Sequence, residues 1–254
     1  MTAREVAAMI ESWAPLFMQE SWDNAGFCVG SPDTKVKGVL LCLDVTNVII
    51  QEALDVGANM IISHHPLIFQ GLKQLCEQNE VARIVTAAIK SDLVIYAAHT
   101  NADKVATGVS GMMAEMLDLQ NIEVLNPDGF GIVGNLLYTQ EVHSFLKQVK
   151  QIFKTPCLRI SQISASMIQR VAVCGGSGAA LIPQAIERGA DIFISGEFGY
   201  HHFFSTNGKM MIADIGHYES EIAITQKLAH LLSEKNVNFA VHITKNSTNS
   251  IHYF

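Results

Sequence analysis

Two histidines stand side by side in Ile61-Ile62-Ser63-His64-His65-Pro66, directly after a short apolar run. Such a run suits a buried parallel strand. Pro66 cannot donate to a ladder and pushes His65 toward an extended conformation, so the strand stops here. Both imidazoles then lie just past a strand end, where α/β proteins collect ligands. Adjacent histidines in that place, with carboxylates elsewhere in the chain, point to metal binding.

The carboxylates come in two spaced pairs. His99-Thr100-Asn101-Ala102-Asp103 and His217-Tyr218-Glu219-Ser220-Glu221 each set a histidine four residues before an acid. On a helical turn those positions share a face, so each pair can address one point. Together His64, His65, Asp103, His217 and Glu221 make a nitrogen and oxygen donor set suited to Zn²⁺, Mn²⁺, Fe²⁺ or Ni²⁺. Adjacent side chains such as His64 and His65 diverge, which fits two ions better than one. Two divalent ions beside two carboxylates leave a positive centre completed by water, and roughly 3.5–4 Å between the ions lowers that water's pKa. That is hydrolase chemistry.

The elements that must carry these residues can be read in order. Residues 2–18 read as an amphipathic helix capped by Thr2 and Glu5. The polar loop Glu20–Gly26 reads as a turn anchored by a buried Trp22; if it borders the site instead, Asn24 is a candidate substrate contact. Residues 38–65 read as strand, helix and strand in a parallel unit, with Gly57 ending the helix. Helices are expected over 78–90, 104–118 and 141–153, and strands over 93–98 and 158–163. The methionines of 104–118 (Met112, Met113 and Met116) read as core filling. Asn126-Pro127-Asp128-Gly129 is the strongest turn signal, and the domain boundary is expected there, with residues 1–128 and 129–254 as the two halves.

The second half repeats the first. Gly57 and Gly189 are 132 positions apart, and so are Ser63 and Ser195. Gly196-Glu197 therefore stands where the two histidines stood. The expected fold is α/β, with two pseudo-symmetric halves, mainly parallel or mixed sheets flanked by helices, and a metal site in the cleft between them. The C-terminal segment is expected to pack back on the first half. A solenoid is excluded because the period is too long.

Composition narrows the class. The 254 residues are 49% hydrophobic and 16% charged with a net charge of −7, which supports an ordinary core and argues against a general nucleic-acid or membrane-surface binder. Five cysteines with no Cys-x-x-Cys spacing offer neither a disulfide framework nor a thiolate zinc site. Arg4, Glu5 and Glu11 spoil a secretory signal, so a reduced, cytoplasmic protein is expected.

The motifs Trp22-Asp23-Asn24-x-Gly26, Leu43-Asp44-Val45-Thr46, Ser63-His64-His65-Pro66-Leu67, His99-Thr100-x-x-Asp103, Ser195-Gly196-Glu197 and Gly216-His217-x-x-x-Glu221 resemble the GTP cyclohydrolase 1 type 2 homologue family, the dinuclear NIF-three-like proteins. The resemblance covers nearly the whole chain, in the short form without an inserted mid-chain domain. It implies His65 and Asp103 on one ion, His64 and His217 on the other, and Glu221 bridging. It also implies a homohexameric ring. His99 is then expected behind Asp103 as an orienting residue.

Other candidates are Glu197 and His202 as acid or base groups and His201 as a substrate contact. The run Cys174-Gly175-Gly176-Ser177-Gly178 lacks the lysine of a P-loop and reads as a tight turn. The leading expectation is a metal-dependent hydrolase acting on a nucleotide or phosphorylated small molecule. The alternative is a non-catalytic metal-binding, storage or regulatory assembly. An open coordination position with acid and base groups in reach separates the two.

Overall fold

The structure is a computed structural model that describes every residue except Asn236. The chain divides into two compact units. The first comprises Met1–Ala102 and Ile224–Ser250, and the second Asp103–Ala223 and Ile251–Phe254. Both are α/β, each with one sheet flanked by helices. The division falls at Ala102, and the Asn126–Gly129 turn, expected as a boundary, lies inside the second unit.

The first unit opens with α1 (Ala3–Glu11), β1 (Gly26–Val29), β2 (Gly38–Cys42), α2 (Asn47–Asp55), β3 (Met60–Ser63), α3 (Glu80–Lys90), β4 (Val94–Ala97) and the single turn α4 (Thr100–Asp103), whose last residue begins the second unit. Thr2 and Glu5 close the expected capping box on α1. The helix ends at Glu11, not at residue 18, because Pro15 cannot continue it, and a 3₁₀ turn follows over Leu16–Met18. Gly57 takes a φ of +72° after α2, the left-handed conformation that ends helices cheaply only at glycine.

The second unit contains α5 (Val109–Met116), β5 (Gln120–Val124), β6 (Ile132–Glu141), α6 (Val142–Ile152), β7 (Arg159–Ile160), β8 (Met167–Cys174), α7 (Ile182–Glu187), β9 (Ile192–Ser195), α8 (His202–Ser205), β10 (Met211–Asp214) and α9 (His217–Glu221). The chain then completes the first unit with α10 (Ile224–Glu234) and β11 (Ala240–Ile243). Two expected elements are shorter than their patterns suggest: the helix over 104–118 reduces to α5, and the strand over 158–163 to the two-residue β7. Met113 is core, whereas Met116 is 37% exposed, so the methionines do not all fill the interior.

The first sheet runs β1-β4-β3-β2-β11. All its pairings are parallel except the edge pair of β1 and β4. The second runs β5-β6-β8-β9-β10-β7 and is mixed, with β8, β9 and β10 parallel. The internal repeat appears in the ladders. Cys42 pairs with Ser63 in one sheet and Cys174 with Ser195 in the other, so the 132-position offset preserves the strand register. Strands β2, β3, β4, β9 and β10 are buried at every position, which explains their unbroken apolar runs. In the first unit Leu40, Ile49, Ala53, Ile61 and Ile95 meet in one core cluster. In the second unit the cores include Phe145, Val171 and Ile194 in one cluster and Ala172, Phe193 and Ile212 in another. No helix among the described residues is long and apolar enough to cross a membrane.

Candidate metal centre

The ends of β3 and β4 bring three imidazoles together in the first unit. His64, His65 and His99 each offer a donor atom within 4.8 Å of the other two, and their ring centroids lie 5.0–5.4 Å apart. Each ring is held through Nδ1. In the fully buried His64, Nδ1 lies 2.7 Å from the carbonyl oxygen of Ala98. A carbonyl only accepts, so Nδ1 carries the hydrogen and the ring's lone pair is on Nε2. His65 is joined in the same way to Oδ1 of Asp44 at 2.7 Å, and Asp44 also accepts from the Thr248 hydroxyl at 3.0 Å.

His99 donates to Oδ1 of Asp23 at 2.7 Å. Burial raises the Asp23 carboxyl, but hydrogen bonds from His99 and Thr100 outweigh it and hold the pKa at about 2. Asp23 is therefore an anion at neutral pH and only accepts. His99, expected to orient Asp103, thus has its Nδ1 committed to Asp23 and stands with the two adjacent histidines. The loop reading that buried Trp22 is also corrected: Trp22 is 58% exposed, and the side chain that is buried is that of Asp23 beside it. The reason is chemical. A carboxylate that anchors an imidazole and accepts from the Thr100 amide must sit inside, and the tryptophan next to it then turns out.

In the second unit, α9 supplies the i, i+4 pair. His217 Nε2 lies 3.1 Å from Glu221 Oε2. Two donors about 2.1 Å from one ion and at right angles to each other lie roughly 3 Å apart, so this pair fits a single cation. Glu197 Oε2 lies 3.3 Å from His217 Nδ1, the same position that Asp44 holds on His65.

The glycine-rich turn after β8 shapes this pocket. A Cβ at Gly176 would lie 2.3 Å from Glu221 Oε1, so the backbone passes the carboxylate where no side chain fits. The amides of Gly175, Gly176 and Gly178 donate to the hydroxyls of Ser110, Ser220 and Ser195 at 3.3, 3.0 and 2.9 Å. Three donors that a phosphate loop would aim at a ligand are thus engaged internally, as the tight-turn reading expects. Cys174 opens the turn. Burial, then the charge of Asp103 and after it that of Glu221, push its thiol up to about 12 against a hydrogen bond with Ser110. Asp103 and Glu221 thus both act on the same buried thiol, which burial and their charges keep protonated in the absence of an ion. The imidazoles and carboxylates gathered at these strand and helix ends are donors that fit borderline divalent ions.

Residues 1–250 match the Duf34/NIF3 (NGG1p interacting factor 3) family. The chain belongs to that family. A GTP cyclohydrolase 1 type 2 homolog of Lactococcus lactis is 34% identical over 245 residues, covering 94% of each chain. One from Streptococcus pneumoniae is 31% identical over 266 residues and covers 100% of both. The crystal structure of a Staphylococcus aureus hypothetical protein aligns with a TM-score of 0.92 at 27% identity, covering 100% of this chain and 99% of that one.

The remaining candidates of this Duf34/NIF3 chain fall in different places. Asn24 is a brace: its side-chain amide donates to the Ile68 carbonyl at 2.6 Å. His202 begins α8 and accepts from the Gly199 amide at 3.0 Å through Nδ1, which puts its hydrogen on Nε2. It lines a groove of about 530 Å³ with Ala179, Ile182, Pro183 and Ser205. His201 is exposed and stacks edge-on against Tyr200. Sequence reasoning missed Asp23 and Asp44 as imidazole partners. The signal was available, since both lie within motifs that also carry the family resemblance.

Proposed function

We propose that the chain binds two divalent ions and acts as a metal-dependent hydrolase on a nucleotide or another phosphorylated small molecule. The observation that carries this reading is the set of three imidazoles whose Nδ1 hydrogens go to a carbonyl or a carboxylate. Histidine ligands are held in this way, with tautomer and ring orientation fixed in advance. In this reading His65 and Asp103 would hold one ion, His64 and His217 the other, Glu221 would serve both, and His99 would be a further donor beside His64 and His65. When bound, the ions supply Lewis-acid polarisation of a substrate oxygen and an acidified water. Asp23 and Asp44 keep hydrogens on Nδ1 of His99 and His65, and Glu197 does the same for His217. Glu197 is also 62% exposed on its side chain, so it can exchange a proton with solvent. The name of the Lactococcus lactis relative supports a nucleotide as substrate. The motif resemblance further implies a homohexamer, which light scattering on the purified protein tests; a monodisperse monomer contradicts it.

A second reading, a metal store or sensor, draws on one observation. His202 accepts from the Gly199 amide and lines the α7 groove, so its Nδ1 is engaged with the loop before α8 and is not offered as a base.

The deciding experiment pairs metal analysis with a substrate screen. About two ions per chain are expected, removable by chelation. Nucleotides, cyclic phosphodiesters and simple phosphoesters are then tested with Mn²⁺, Zn²⁺ and Fe²⁺ separately. A genuine activity saturates with substrate and vanishes in Asp103→Ala. If every hit survives that substitution, or none appears, the store or sensor reading takes over.

A further inference from the structure

Beside the imidazole cluster the first unit holds two large aromatic side chains out in solvent. Trp22 is 58% exposed and Phe69 is 48% exposed. They meet edge to face with centroids 5.9 Å apart, and both meet His99, at 6.5 and 6.2 Å. Scattered exposed hydrophobic residues need no explanation. These two differ because the loops that carry them are pinned. The Asn24 side chain donates to the Ile68 carbonyl at 2.6 Å, which ties one loop to the other. The Glu20 amide donates to the Thr100 hydroxyl at 2.9 Å, and the Ala25 amide to Gln19 Oε1 at 3.0 Å. Asp23 is buried beneath His99. Local hydrogen bonds thus hold a tryptophan out of the core, next to a candidate metal ligand.

We propose that Trp22 and Phe69 form a stacking platform for the nucleobase of the substrate. The proposal rests on the reading above that the substrate is a nucleotide. Rings fixed in advance lose little freedom on binding, and every base has a π-face, so such a platform is tolerant of base identity. The chemistry divides cleanly: the aromatic faces take the base, and the histidines would hold the ions that attract the phosphate. Phosphorylated sugars without a base then bind only through the second part.

The test is titration calorimetry with adenosine and guanosine 5′-monophosphates, ribose 5-phosphate and inorganic phosphate. The proteins are metal-loaded wild type, Trp22→Ala, Trp22→Phe and Phe69→Ala, with oligomeric state and melting temperature followed for each. Wild type is expected to prefer both nucleotides to ribose 5-phosphate. Trp22→Ala is expected to weaken the nucleotides by roughly 5- to 150-fold, the range that loss of one stacked base spans. Ribose 5-phosphate and inorganic phosphate keep their affinities in that variant, and Trp22→Phe keeps most of the nucleotide affinity. Should Trp22→Ala fail to fold, Phe69→Ala and Trp22→Phe decide.

Equal wild-type affinity for nucleotide and ribose 5-phosphate overturns the platform, as does a Trp22→Ala loss common to all ligands. Unchanged nucleotide affinity with a dissociated oligomer also overturns it and assigns the rings to contact with a second copy of the chain. Guanosine titrated into chelated protein separates the two readings. A Trp22-dependent signal there supports the platform even if the metal hydrolase reading fails. Its absence, with metal content and phosphate binding intact, removes the platform alone.

Discussion

His99 donates its Nδ1 hydrogen to Asp23, a carboxylate 76 residues away in sequence whose side chain has no exposed surface. The bond joins a loop before β1 to the turn after β4. It fixes the tautomer of a ring that lies within reach of His64 and His65. Asp44 does the same for His65, so two of the three imidazoles are backed by carboxylates.

Replacing Asp23 with asparagine keeps the shape and removes the charge. The amide still accepts from Thr100, but His99 loses an anionic partner and with it basicity at Nε2. Loss of such a partner typically lowers metal affinity by about 10- to 100-fold. Competition with a chromogenic chelator is expected to show that loss in Asp23→Asn, while the circular dichroism spectrum stays native. Unchanged affinity would mean that His99 is no ligand and serves only to pin the loop.

Glu52 on α2 ties down the chain after β11. Its carboxylate accepts from the Lys245 amide at 2.8 Å, the Asn246 side chain at 2.9 Å and the Thr244 hydroxyl. Slight burial raises its pKa, but those bonds and the Lys245 charge outweigh that and hold it below the usual glutamate range. A depressed folded pKa stabilises above the unfolded value of about 4.3 and ceases to do so as pH falls through the folded value. The Lys245 amide resonance should therefore titrate with a midpoint below about 4.3. In Glu52→Gln that titration should disappear. A midpoint at or above the unfolded value would contradict the strap.

Much of this was legible in the sequence because the relevant forces are local. The apolar runs of β2 and β3, the cap at Thr2 and the stop at Gly57 each act within a few residues. The repeat was legible because the 132-position offset keeps residue types in step, and the structure returns it as a shared ladder register. What could not be read depends on distant partners. The burial of Asp23 follows from His99 and Thr100, so nothing around Trp22 reveals that the tryptophan faces water. The division at Ala102 was hidden because β11, which completes the first sheet, is a short edge strand with no buried residue to give it a pattern. The Asn126–Gly129 turn carries a strong local signal, yet it only joins β5 to β6 in one sheet.

The role of Glu221 can be tested through a backbone position. Gly176 has a φ of +58°, and a Cβ there would lie 2.3 Å from Glu221 Oε1 and 3.4 Å from His217 Cε1. Glu221 is 4% exposed and its carboxylate is held at 3.1 Å from His217, so it cannot swing freely to make room. Gly189, in the same unit, supplies the control: its φ is +70°, but a Cβ there meets nothing within 4 Å. Alanine at either site strains the backbone by about 1 kcal/mol, a melting shift of roughly 2–4 °C for a chain of this size. Only Gly176→Ala also displaces the carboxylate. Gly189→Ala is therefore expected to melt slightly lower and retain its full metal content. Gly176→Ala should melt at least as low and lose metal on dialysis, by elemental analysis. Equal metal retention in the two variants would show that Glu221 holds no ion, leaving the histidines and Asp103 to do so.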